Sequence, residues 1–272
     1  MPKAPTTLDK FESLIKIVSD LRGPEGCPWD KEQDHKTLAP YAVEETYELV
    51  EALEQQDDQK IKDELGDVLF QVVLHAQLAS ERKAFTIDDV LKNLNEKMVR
   101  RHPHVFSDVK VENTEEVWKN WEKIKKAEKA GPNPDGSLKK QIDIPEAIPA
   151  LQRSYKIGVK TQKAGFDWAK PMDVFQKVKE EMLEDEVELR AKESKYLEPE
   201  IGDLLFSVAQ LARHCGFEPE QTLRAANRKF LRRYEAMHEL CAEKGLQFEK
   251  LKPEQKENLW IEVKKLQAKA SK

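Results

Sequence analysis

Residues 44 to 70 come back 136 positions further along the chain, and this repetition restricts the fold more than any other feature. Glu44, Glu45, Glu48, Glu64, Gly66, Asp67, Leu69 and Phe70 recur as Glu180, Glu181, Glu184, Glu200, Gly202, Asp203, Leu205 and Phe206. Chance does not produce eight identities in one register. Asn95, Lys97, Arg100 and Arg101 likewise match Asn227, Lys229, Arg232 and Arg233, and Trp121 and Lys125 match Trp260 and Lys264, at slightly different offsets. The chain therefore reads as two copies of one structural unit. Gly131-Pro-Asn-Pro-Asp-Gly-Ser137 is dense in helix breakers and marks the boundary. We expect an N-terminal module over residues 1–130, a linker over 131–145 and a C-terminal module over 146–272.

Within each copy the apolar spacing is helical. Asp9 is positioned to cap a first helix carrying Phe11, Leu14, Ile15 and Val18. The segment from Arg22 to Asp30 breaks it with two prolines and two glycines. Its Trp29 reads either as a buried anchor or as a cover for a planar ligand. A second helix from about Thr37 to Gln55 sets Val43, Tyr47, Val50 and Leu53 on one arc and Glu44, Glu45, Glu48 and Glu51 on the other. The third, through Leu65–Leu78, is apolar on nearly every face and predicts a buried element. Asp67 then shares a stripe with Phe70, Leu74 and Leu78, where an unpartnered carboxylate costs several kcal/mol. Gly66 predicts close approach of another helix or a ligand, and His75 is a satisfied core histidine. Thr86 with Asp89 resembles a capping box at the start of a fourth helix, which ends in basic residues before Pro103. A fifth begins near Thr114. Such patterns, repeated, describe an all-α protein of two tandem helical bundles.

Glu-Glu-x-x-Glu taken alone is a solvated face in a chain with 36% charged residues. Its recurrence beside Glu-x-x-Asp in the next helix changes that reading. Residues three or four apart share a helix face. Two such helices side by side would then ring a hard cation with carboxylate oxygens. Without histidine or cysteine at ligand spacing, magnesium or manganese fits better than zinc. Glu235-x-x-His238 lacks a partner copy, against a di-iron bundle. Lys97, Arg101 and Lys125, with Lys229, Arg233 and Lys264, would meet the phosphates that magnesium accompanies, and Trp121 and Trp260 offer a flat surface near them. No Gly-rich phosphate loop is present.

The chain's 46 basic and 51 acidic residues give a net charge of −5, so bulk attraction to nucleic acid or anionic membrane is not expected. Cys27, Cys215 and Cys241 have no paired spacing and read as packing thiols of a reducing compartment. No apolar run approaches the roughly 20 residues that span a bilayer, and Met1–Thr7 lacks a signal-peptide pattern. A soluble, cytoplasmic protein is the expectation.

Gly26-Cys-Pro-Trp-Asp-Lys-Glu-Gln33, Pro40-Tyr41, Glu44-Glu45-x-x-Glu48 and Glu64-Leu-Gly-Asp67-Val-Leu-Phe together resemble the MazG family of nucleoside triphosphate pyrophosphohydrolases. The resemblance extends over both halves. It implies an all-α homodimer that hydrolyses nucleoside triphosphates to the monophosphate and pyrophosphate with magnesium, in removal of unwanted nucleotides. By the family pattern, Glu181, Glu184, Glu200 and Asp203 bind magnesium and Lys229, Arg233, Trp260 and Lys264 contact the nucleotide. Their first-copy counterparts are Glu45, Glu48, Glu64, Asp67, Lys97, Arg101, Trp121 and Lys125. A glutamate of the cluster, Glu180 or Glu181, with Glu44 or Glu45 in the first copy, would orient or deprotonate the attacking water. The copies depart from one another in two places. Asp185 and Glu186 replace Leu49 and Val50, and Phe166-Asp-Trp168 stands where the first copy has Pro28-Trp-Asp30. The rival reading is a helical module that senses nucleotide and magnesium without turnover.

Overall fold

The computed structural model describes residues 2–128, 142–191 and 194–270, with the side chains at 191, 194, 195, 269 and 270 excepted; the expected linker lies, up to residue 141, outside them. The chain divides into two compact units, Met1–Gly131 and Pro132–Lys272. Among the described residues there are helices and no strands. Unit 1 contains α1 (Phe11–Arg22), α2 (Pro28–Glu32), α3 (His35–Gln55), α4 (Asp58–Glu81), α5 (Ile87–Arg101), α6 (Pro103–Phe106) and α7 (Thr114–Glu128). Unit 2 contains α8 (Ala150–Lys163), α9 (Pro171–Ala191), α10 (Ser194–His214), α11 (Pro219–Glu243), a short 3-10 turn and α12 (Pro253–Ala270).

Local chemistry sets the helix ends. The Asp34 carboxylate accepts from the Lys36 and Thr37 amides, and the Thr37 hydroxyl accepts from the Asp34 amide. This reciprocal cap opens α3, two residues before the expected start. Gln56 closes α3 in the left-handed conformation at φ 57°, and Asp57 at once caps α4 through the Gln59 and Lys60 amides. A reversal this short makes α3 and α4 an antiparallel hairpin. Thr86 and Asp89 form the anticipated capping box of α5. Asp9 does not cap α1: Lys10 stands at that position, with no side-chain bond to the helix.

Unit 1 is held by α1, α3 and α4, whose Val18, Leu38, Val73, Leu74 and Leu78 are buried together, with Phe11, Leu14 and Phe70 against them. In unit 2 the pair α9–α10 packs the same way, with α8 across α10. A second core there joins α11 to α12 through Met237, Cys241, Leu259 and Val263.

Three expectations about the first hairpin need correcting. The α4 segment Leu65–Leu78 is buried only toward its C-terminal half, from Gln71 onward. Leu65, Leu69 and Val72 are exposed, and so is Asp67. On α3, Val43, Tyr47 and Leu53 face outward, while Glu45 turns inward and is half-buried. Apolarity all round α4 thus reflects two faces, one turned to the core and one left bare in the single chain. Gly66 and its copy Gly202 have open space where a Cβ would stand, so no helix approaches closely there. The thiols also differ: Cys241 is buried, but Cys215 is exposed.

Candidate active site: two acidic clusters on paired hairpins

The hairpins set carboxylates face to face. In unit 1, Glu45 and Glu48 on α3 and Glu64 on α4 each offer an oxygen, all within 4.8 Å of one another; in unit 2, Glu181 and Glu184 on α9 and Glu200 on α10 do the same. The one-turn spacing within a helix supplies two of each trio, and the hairpin supplies the third. Asp67 and Asp203, one turn beyond Glu64 and Glu200, are exposed and lie outside the two trios. Asp67 is nonetheless the leading neighbouring charge on Glu45.

Crowding shows in the proton affinities. Partial burial, then the charges of Asp67, Glu48, Glu64 and Glu44, push the Glu45 carboxyl above its usual range. Burial followed by the Glu48 and Asp67 charges raises Glu64. In unit 2, burial and a hydrogen bond shared with Glu181 raise Glu184. Each trio therefore carries unfavourable like-charge energy that a cation would relieve. An all-oxygen donor set of this kind suits a hard divalent ion. The donors present thus fit the metal that the sequence motifs point to.

Of the candidate proton acceptors, Glu45 and Glu181 belong to the trios, and Glu44 and Glu180 are exposed beside them. An open groove of about 510 Å³ runs along unit 2's cluster, lined by Glu180, Leu183, Glu184, Val187, Glu188 and Glu200. The spacing motifs did not single out Lys177. Its Nζ lies 2.6 Å from Glu180 Oε1 and 2.8 Å from Glu181 Oε1. Those two bonds and charges hold the ammonium well above the ordinary lysine range. The three- and four-residue spacing to Glu180 and Glu181 carries the signal in sequence. Glu181 is only 4% exposed, and Asp185, one turn on, is also buried.

The basic and aromatic residues assemble in pairs. Lys125 Nζ stands 4.5 Å from the Trp121 ring centre, and the Arg233 guanidinium 5.7 Å from that of Trp260. Arg233 Nε also donates to Gln267 Oε1 at 3.1 Å. Arg101 is held by Glu128 through Nη2–Oε2 at 2.5 Å, and the two guanidiniums of Arg100 and Arg101 draw the Glu128 carboxyl down to about 2. Lys97 is half-buried, whereas Lys229 and Lys264 are exposed. Among the described residues no ion pair joins either acidic trio to these cations.

Loops preceding the acidic hairpins are pinned by arginine in both units, but from different helices. Arg22 of α1 donates to the Asp30 and Gln33 carbonyls and pairs with Glu81 on α4 at 2.8 Å. This leaves Trp29 about half exposed, edge-on to Tyr41, so the buried-anchor reading does not hold. In unit 2 the arginine comes from α10: Arg213 pairs with Asp167 at 2.5 and 3.0 Å and donates to Gln210. Gly158 on α8 is what lets them pack, since a Cβ there would stand 1.9 Å from Gln210 Oε1 and 2.4 Å from Arg213 Nε. His75 does not reach a cluster. It shares a 2.9 Å Nδ1–Nδ1 hydrogen bond with stacked His35, and burial lowers its proton affinity.

Comparison with known proteins supplies the remaining finding. A family profile described as the MazG nucleotide pyrophosphohydrolase domain matches residues 33–106. The chain is 45% identical over 257 residues to the nucleoside triphosphate pyrophosphohydrolase/pyrophosphatase MazG of Thermotoga maritima, covering 93% of this chain and 95% of that one. It is 42% identical over 263 residues to the nucleoside triphosphate pyrophosphohydrolase of Escherichia coli, covering 95% and 98%.

Proposed function

The chain belongs to the MazG nucleotide pyrophosphohydrolase family, and from that premise we propose that it cleaves nucleoside triphosphates to the monophosphate and pyrophosphate at its acidic hairpins, using magnesium. The observation that carries this reading is the convergence of three carboxylate oxygens within 4.8 Å in each unit. Glu45, Glu48, Glu64 and Asp67, and Glu181, Glu184, Glu200 and Asp203, would hold the cation. When bound it supplies Lewis-acid charge to the phosphates and the attacking water. Glu180, exposed at the edge of its trio, orients the water and takes its proton, and Glu44 does so in unit 1. The water attacks the α-phosphorus, the bond from that phosphorus to the bridging oxygen breaks, and pyrophosphate leaves with the electron pair. Lys97, Arg101 and Lys125, and Lys229, Arg233 and Lys264, are the chain's phosphate ligands, with Trp121 and Trp260 as the flat surfaces beside them. The bare outer faces of α4 and α10 support a homodimer, and clearance of unwanted nucleotides is the role that fits such chemistry.

The test is pyrophosphate release from a panel of standard and altered nucleoside triphosphates, with magnesium and after chelation. Turnover should require the metal and disappear in the double variant Glu48→Gln, Glu181→Gln, whose fold is checked by circular dichroism. Binding of nucleotide and magnesium without release of pyrophosphate would instead establish a sensing module.

A further inference from the structure

The two acidic trios are nearly identical in carboxylates and unlike in their cations. In unit 2, Lys177 Nζ bridges Glu180 Oε1 at 2.6 Å and Glu181 Oε1 at 2.8 Å. Glu181 is a member of the trio and its side chain is 5% exposed, so this is not a solvated surface pair. Position 41 of unit 1, which corresponds to Lys177 in the register of the repeat, holds tyrosine. The charges that act most strongly on Glu45 are acidic: Asp67, Glu48, Glu64 and Glu44. Lys60 is the nearby exception, close enough to act on Glu64, but its ammonium donates to Gln55 Oε1 at 3.1 Å.

We propose that Lys177 is a resident counter-ion of the second cluster, which a divalent cation has to displace, so that the two clusters load unequally, the first ahead of the second. This rests on the reading of both trios as cation sites. One of the two carboxylates that Lys177 bridges, Glu181, is one that a metal would use, and the other, Glu180, is the acceptor beside it. An ammonium and a metal ion cannot share Glu181 without strong mutual repulsion in a partly buried site. Binding at unit 2 must break the Lys177–Glu181 contact, a cost that unit 1 does not carry. Once released, the four-carbon stem carries the positive charge toward the groove beside Glu180. Metal occupancy and the position of Lys177 are then one linked equilibrium.

The experiment is titration of the full chain, without nucleotide, with Mn²⁺, the free ion being followed by electron paramagnetic resonance. The wild-type chain should show two classes of site, the tighter removed by Glu48→Gln and the weaker by Glu181→Gln. Lys177→Met should tighten the weaker class by at least about tenfold, the effect of deleting one repelling charge at contact distance. Tyr41→Lys should weaken the tighter class comparably, and it decides the matter if Lys177→Met fails to fold by circular dichroism. A single class of equal sites in the wild type overturns the proposal. So do unchanged constants in the lysine and tyrosine variants while the glutamate variants still remove their classes, and in that case the cation reading survives. Absence of Mn²⁺ binding, or binding that persists in both glutamate variants, overturns the cation reading itself.

Discussion

Asp185 stands where the first copy has Leu49, and the difference has an energetic consequence. Its side chain is buried on the inner face of α9, and its Oδ1 has no hydrogen-bond partner. A buried polar group left unsatisfied costs about 1–3 kcal/mol. Asp185→Leu should accordingly raise the stability of unit 2 by about 1–3 kcal/mol, measured by urea unfolding. Asp167 is the opposite case, because Arg213 and then His214 hold its carboxyl down to about 2. Breaking the pair strands a guanidinium whose side chain is 5% exposed, and Asp167→Asn should cost about 3–5 kcal/mol. The folded-state value lies below that of the unfolded chain, so the stabilisation is present above about pH 4 and is lost as pH falls toward about 2. The wild type should lose more stability across that window than the variant, the difference being the Asp167 contribution. The carboxylate spacing of both trios was legible in sequence because helical periodicity fixes which residues share a face. The exposure of Asp67 was not: a stripe of apolar neighbours shows that a face is apolar, without showing whether anything covers it.

At the scale of elements, the α3–α4 hairpin turns a sequence spacing into a site. The Asp34 and Asp57 caps and the left-handed Gln56 make the reversal short, and that alone forces Glu64 against Glu45 and Glu48. These signals are local, so the starts of α3, α5 and α7 could be read to within a few residues. The contact between His35 and His75 links residues 40 apart and could not be. Burial disfavours the His75 imidazolium, as does the charge of a protonated His35. The folded state thus favours neutral His75, and the contribution of the pair is complete above the ordinary histidine value and decays as pH falls below it. Unfolding midpoints of the wild type should drop between pH 7.5 and 5.5, and His75→Gln should flatten that part of the profile. An unchanged slope in the variant would show that the pair does not titrate with folding.

For the molecule as a whole, the repeat means that each acidic trio has an internal control in the other unit. The outer faces of α4 and α10 present Leu65, Leu69 and Val72, and Ile201, Leu205 and Val208, each more than 40% exposed. A second copy of the chain is the occupant proposed for them. Sedimentation should accordingly show a dimer, and Leu69→Glu with Leu205→Glu should convert it to a monomer with loss of turnover. A wild-type monomer with full turnover would remove the dimer from the account. The sequence by itself determined the helical class, the duplication and the carboxylate spacing, because helix periodicity, capping and breaker residues act over a few positions. It also carried the family resemblance. Only the tertiary structure decided that Glu45 turns inward while Asp67 does not, that arginine pins the two loops from different helices, and that Lys177 already occupies one cluster. Those outcomes depend on which faces meet across a hairpin or between distant helices, and no local pattern records that.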